Sequence, residues 1–234
     1  MEPVSPSIGW GVLHLFCKVR PGGDGPATDV EAVVAAVKAC QADGYQVVPF
    51  AVLGHKADVG FMALGPDLWR LRRLQAELTS AGLDPVWSYV SLTEVSEYAQ
   101  GLPAETLEAR LHPQLPPPGK RAVCFYPMSK RRGPGDNWYL LPFEDRKELM
   151  FGHGRKGREF AGRVLQLITG SVGLDDWEWG VTLFASDPAD LKQCVYEMRF
   201  DQASAVYAEF GPFVTGLVGE VEEILGQVGA SGVD

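Results

Sequence analysis

The residues IGWGVLHLFCKV (8–19) alternate and cluster apolar and β-branched side chains over strand length, and PGGDGP (21–26) then breaks the run. From Thr28, which reads as an N-cap, TDVEAVVAAVKACQADG places apolar residues at helical spacing and stops at Gly44. YQVVPFAVLG (45–54) and ADVGFMALG (57–65) follow as two strands. PDLWRLRRLQAELTSAG (66–82) opens on a proline and closes on a glycine, the punctuation of a helix. DPVWSYVSL (84–92) is the next strand. The predicted order is β-α-β-β-α-β, the ferredoxin-like split unit.

The second half predicts the same order. RAVCFYPM (121–128) is a strand, and LPFEDRKELMFGHGRKGREFAGRVLQLITG (141–170) carries one long helical pattern interrupted by glycines. DWEWGVTLFAS (176–186) is a strand, DPADLKQCVYEMRF (187–200) a helix and AVYAEFGPFVTG (205–216) a last strand. GFMALGPDLWRLRRLQAEL and GVTLFASDPADLKQCVYEM align as strand, proline turn and helix, a weak internal repeat. The expected fold class is therefore α+β: two tandem ferredoxin-like units whose sheets form a dimeric α+β barrel within one chain. The expected domains are 1–109, a stiff prolyl linker at 110–120 (RLHPQLPPPGK), a second unit at 121–218 and a tail at 219–234 that starts helical.

Charge narrows the function. With 30 acidic against 21 basic residues the net charge is −9, which argues against nucleic acid or an anionic membrane as a general partner. MEPVSPSIGW lacks the pattern of a secretory leader and no apolar run reaches spanning length, so no membrane insertion and a cytoplasmic location are expected. Four cysteines, at 17, 40, 124 and 194, show no metal-like spacing and read as buried free thiols.

Against that acidic background, CFYPMSKRRGPGDNWY (124–139) is unusual: Tyr126, Lys130, Arg131 and Arg132 gather at the mouth of a glycine-rich loop. A solvated turn explains it, and so does a site for a bulky, flat ligand with several negative charges. Further on, Leu149, Met150, His153, Gly157, Phe160, Val164 and Ile168 recur at steps of three or four, which sets His153 on an apolar stripe between Gly152 and Gly154. A satisfied core histidine accounts for the spacing. A haem iron, however, needs one axial ligand, and glycines leave room for a macrocycle to approach the backbone. Trp177 and Trp179 fall at i and i+2, on one face of a strand, as core or as the wall of a flat site. No phosphate-binding or nucleophile-elbow motif competes.

YPMSKRRGPGDNWYLLP, HGRKGREFAGRVLQLITGSVGLDDWEWGVTLF, YEMRFDQASAVYAEFGPF and SYVSLTEVSEY closely resemble the coprohaem decarboxylase branch of the chlorite dismutase family. The strong match covers about residues 121–217. This resemblance implies hydrogen peroxide-dependent conversion of two propionates of iron coproporphyrin III to vinyls, through harderohaem, giving haem b. It implies His153 as the iron ligand, Tyr126 as the radical-forming tyrosine and Lys130 as the holder of a reacting propionate. Met128, Arg158, Trp177, Ser204 and Tyr89 match positions lining the pocket. On the distal side Gln166 stands where chlorite-degrading members carry arginine, which weighs against chlorite, and His112 matches the distal histidine of one decarboxylase branch and is preferred as the base. The resemblance also implies a ring of five copies and transient contact with the upstream ferrochelatase. A haem or coprohaem carrier without turnover and a generic haem peroxidase are the rival readings. The dye-decolourising peroxidases of the same superfamily usually carry GxxDG, absent here.

Overall fold

The computed structural model describes residues 2–20, 27–99 and 101–229. PGGDGP (21–26) and the end of the tail, 230–234, lie outside that range. The first half forms β1 (Gly11–Val19), α1 (Val30–Ala42), β2 (Gln46–Val52), β3 (Val59–Gly65), α2 (Leu68–Ser80) and β4 (Leu83–Thr93). A connecting helix α3 (Ala104–Leu111) leads to β5 (Ala122–Lys130), α4 (Phe143–Arg158), β6 (Val164–Gly170), β7 (Trp179–Ala185), α5 (Pro188–Met198), α6 (Gln202–Ala205), β8 (Ala208–Phe210), β9 (Val214–Val218) and α7 (Val221–Gln227).

The strand pairings are antiparallel, and the strand order β7-β6-β4-β1-β3-β2-β9-β5-β8 is closed by a further pairing of β5 with β7. Eight strands thus form a barrel, and β8 hangs on the end of β5. Within it, β4-β1-β3-β2 and β6-β7-β5-β9 are two ferredoxin-like sheets. They join where Leu92 faces Gly170 and where Phe50 faces Val218. The expected α+β fold is the observed one.

Alternation along each strand sorts side chains into two layers. Phe16, Phe50, Met62, Tyr89, Phe125, Leu167 and Phe184 fill the barrel. On the outer face α1, α2 and α7 bury Val33, Val37, Leu74, Leu78 and Leu225 against the first sheet. A third cluster, containing Tyr126, Phe160, Val181, Leu191 and Cys194, packs outside the second sheet. All four cysteines are buried and free. Among the described residues no helix is long and apolar enough to cross a membrane.

Several expected elements differ. The helix expected over 141–170 ends at Arg158, and residues 164–170 form β6, paired along its length with β7. Positions four apart share a face in a helix and in a strand alike, so Val164 and Ile168 extend the stripe without extending the helix. Gly162, at φ +81°, turns the chain between them. The strand at 205–216 splits into β8 and β9 around Gly211-Pro212, since proline cannot donate to a ladder. Residues 104–111 (AETLEARL) form a helix that was not expected, and only Arg110 and Leu111 of it fall in the prolyl stretch. Asp29, not Thr28, caps α1 by accepting from the Ala32 N–H at 3.0 Å; Thr28 instead donates to Gly82 O. Trp177 precedes β7 rather than lying in it.

His14 is a titratable residue set inside the barrel, fully buried and stacked 4.1 Å from Phe125. Its Nε2 meets Thr182 Oγ1 at 2.9 Å, whereas Nδ1 has no partner among the described residues. Burial pushes its pKa down from 6.5 to about 3. The unfolded chain therefore binds a proton that the folded chain refuses, and stability falls as pH drops below 6.5. The expected loss is about 1.4 kcal/mol per pH unit. Unfolding free energies of the parent and His14→Phe, compared from pH 7 to about 4.5, should diverge at that rate below pH 6.5; a constant difference rejects the account.

Candidate functional site

β5 carries the row. Cys124, Tyr126, Met128 and Lys130 alternate onto its outer face, while Phe125 joins the barrel interior. Tyr126 is buried, with its ring stacked 4.4 Å from Phe213 and edge-on to Phe210 at 5.7 Å. Burial, with Cys124 and Cys194 nearby, raises its phenol well above the ordinary range. Among the described residues its hydroxyl has no hydrogen-bond partner.

Lys130 is buried as well. Its Nζ donates to Ala203 O at 3.0 Å and lies 4.3 Å from the centroid of the Trp138 ring. Burial lowers its pKa to about 8, against the opposing pull of Asp201 and Glu178, so the side chain is mainly protonated at neutral pH. Lys130 N–H donates to Glu178 Oε2 at 2.8 Å, and Arg132 pairs with the other oxygen of that buried carboxylate.

The short helix α6 links this row to α4. Its N-cap Asp201 receives the Ser204 N–H at 3.2 Å through one oxygen and lies 3.0 Å from His153 Nδ1 through the other. Ser204 Oγ stands 3.4 Å from the same nitrogen. Burial works to raise the Asp201 carboxyl, but the bonds with His153 and Ser204 prevail and hold it below the usual range. With Nδ1 engaged, Nε2 is the ring nitrogen left for an axial bond, and the carboxylate behind it fixes the tautomer. Other acids that could stand behind His153 are engaged elsewhere: Asp175 accepts from Val90 N–H, Glu178 serves Lys130 and Arg132, and Glu197 pairs with Lys156. Asp201 takes that place. Its sequence signal is that of a helix cap, which carries no hint of a histidine 48 residues away.

α4 differs from the other long helices: none of its 16 residues is buried. It rests on α5 and α6 and touches β6 through Gln166, whose Nε2 donates to Gly157 O at 3.4 Å. Beside Gln166, on the same face of β6, Ile168 is 45% exposed. A Cβ at Gly152 would meet nothing within 4 Å, and one at Gly154 only Arg158. A helix with no fully buried residue, an apolar sheet face left half open and one histidine whose Nε2 has no partner among the described residues fit a flat apolar macrocycle with an iron at its centre. A cavity of about 890 Å³ lies between α4 and α5–α6, lined by His153 and Asp201 themselves and by Leu149, Lys156, Glu197 and Tyr207 among others. Neither Tyr126 nor Lys130 reaches it, so its size does not make it the reacting site.

The structure thus gathers His153, Ser204 and Lys130 around α6, Tyr126 and Met128 along β5, and Gln166 at the end of α4. Arg158 lies at that helix end, 5.9 Å from the Phe151 ring. Three residues stand apart. Tyr89 lies in the barrel core, bonded to Ser171, with its phenol pushed up to about 12 by burial. Trp177 packs against the same interior cluster. His112 caps α3, 2.6 Å from Glu108 and edge-on to Trp10, with no bond to the β5 row.

The chlorite dismutase sequence profile matches residues 26–219. The chain belongs to the chlorite dismutase family. A Natronomonas pharaonis protein, named as a candidate haem-binding protein, is 41% identical over 249 residues. That alignment takes in 95% of this chain and 41% of the relative, so the chain spans about two fifths of that protein's length. A haem-binding protein of Thermus thermophilus superposes with a TM-score of 0.82 at 38% identity, covering 97% of this chain and all of the other. A mutant chlorite dismutase of Candidatus Nitrospira defluvii gives 0.77 at 19% identity, covering 96% and 97%, a likeness of fold alone.

Proposed function

We propose that this protein converts two propionates of iron coproporphyrin III to vinyl groups with hydrogen peroxide, through harderohaem, and releases haem b. The observation that carries the reading is the shared outer face of Tyr126 and Lys130, joined through α6 to His153. When bound, the iron porphyrin would supply the oxidising chemistry drawn from peroxide. His153 would hold it through Nε2, with Asp201 and Ser204 fixing the ring. Lys130, cationic at neutral pH, binds a propionate by a charge-assisted hydrogen bond and sets it beside Tyr126. Tyr126 loses its hydroxyl hydrogen, as proton and electron, and regains one from the propionate chain. The carboxylate then leaves as carbon dioxide, and each vinyl formed releases two electrons, which one peroxide accepts as it becomes water.

On the distal side the geometry favours Gln166 over His112. Gln166 adjoins α4 on the outer sheet face, whereas His112 is tied to Glu108 and Trp10. An amide orients peroxide by donating N–H but takes no proton at neutral pH, so that proton passes to water. The reading carries with it a ring of five copies in the cytoplasm that receives substrate by transient contact with ferrochelatase. A carrier without turnover is the second reading, since the two similar proteins named above are described by haem binding. Mass spectrometry of the protein loaded with iron coproporphyrin III during peroxide titration separates them. Stepwise loss of two carboxyl groups is expected; retention of all four leaves the carrier.

A further inference from the structure

The hairpin after β5 is more ordered than a solvated turn requires. Arg132 and Asn137 form a β-bridge, Trp138 N–H donates to Arg131 O at 3.0 Å, and Arg131 N–H donates to Tyr207 O at 2.8 Å. The Trp138 ring meets Tyr207 edge-on at 5.3 Å and roofs Lys130. A second cation of the hairpin is held differently. Arg132 Nη2 donates to Glu178, and the guanidinium lies 4.9 Å from the Tyr139 ring centroid.

An ion pair between two exposed side chains is a weak and mobile contact. This one joins a side chain that is 64% exposed to one that is 7% exposed and already fixed by Lys130 N–H. The buried partner orients the exposed one. Apart from Glu178 and the neighbouring Tyr139, Arg132 has no side-chain partner among the described residues, and its side chain is largely open to solvent. Five donors in a fork can hold Glu178 on one edge and a second carboxylate on another.

We propose that Arg132 is a second carboxylate-binding residue of the site, prepositioned by Glu178, and that it favours ligands with more acid arms than haem b has. The inference rests on the porphyrin reading above. Lys130 and Arg132 are two residues apart on extended chain, roughly 7 Å, which suits two separate carboxylates better than one shared between them. Lys130 is roofed and bound to Ala203 O, whereas the Arg132 side chain is open to an incoming acid. Removing one charged hydrogen bond from a single arm should lower affinity for the four-carboxylate porphyrin and leave the two-carboxylate product nearly untouched.

The test is spectrophotometric titration of the parent chain, Arg132→Met and Arg132→Lys with iron coproporphyrin III and with haem b. Arg132→Met should bind the coproporphyrin about tenfold more weakly, the effect of one lost charge-assisted bond, with haem b unchanged within about twofold. Equal losses for both porphyrins, or none, overturn the proposal. Arg132→Met leaves Glu178 without its cation, so its folding is checked by thermal melting. Should it not fold, Arg132→Lys decides: charge without the fork should reduce selectivity about threefold, and parent-like selectivity overturns the idea. A parent chain that binds neither porphyrin overturns the underlying reading as well, which distinguishes the two failures.

Discussion

Tyr126→Phe is expected to bind iron coproporphyrin III as tightly as the parent chain and to lose decarboxylation by about 10³-fold, the middle of the range for a positioned proton-transfer group. Binding should survive because the ring, not the hydroxyl, makes the structural contacts: Phe213 stacks on it and Phe210 abuts its edge. The hydroxyl has no hydrogen-bond partner among the described residues, so its removal leaves no buried group orphaned. Burial also raises the phenol far above neutral pH, so the proton leaves with an electron rather than by simple ionisation. Stopped-flow mixing with peroxide followed by mass spectrometry reads the outcome. A parent-like rate of carboxyl loss removes Tyr126 from the chemistry and leaves Lys130 as an anchor only.

His153→Ala is expected to abolish the axial bond and Asp201→Asn to weaken it, in that order of severity. Without imidazole the absorption spectrum of the loaded protein should change to that of an unligated or water-ligated iron. Asp201→Asn keeps an oxygen opposite Nδ1 but removes the charge that favours the Nδ1–H form. Loss of such a partner typically costs about 10–100-fold in metal affinity or activity. Porphyrin titrations of the three proteins measure both effects. Were Asp201→Asn to match the parent in spectrum and affinity, the bond at 3.0 Å would be a helix-cap contact without influence on the iron.

Residues near in sequence were readable for a definite reason. Tyr126, Met128 and Lys130 share a face because a strand has period two, and nothing distant can alter that. The same locality misled at 159–170, where a spacing of four satisfies helix and strand equally, and only the pairing of β6 with β7 decides between them. The ligand role proposed for His153 rests on resemblance, since its apolar stripe also fits a core histidine. Tyr89 and Trp177 matched pocket positions by motif but lie with the barrel interior, because the face a strand residue presents depends on which side the sheet closes. His112 matched by linker position, and loop geometry is set by contacts such as Trp10 that no local pattern encodes.

By itself the sequence determined the α+β class, the two ferredoxin-like halves, the net acidic charge, the basic loop after β5 and the row on that strand that bears Tyr126 and Lys130. These follow from periodicity, composition and adjacent residues. Tertiary structure alone decided that Asp201 supports His153, that Trp138 and Ala203 enclose Lys130, that Glu178 steadies Arg132 and that no residue of α4 is fully buried. Each of these joins residues from different elements, and the closure of one barrel from two sheets, rather than any local preference, brings them within bonding distance.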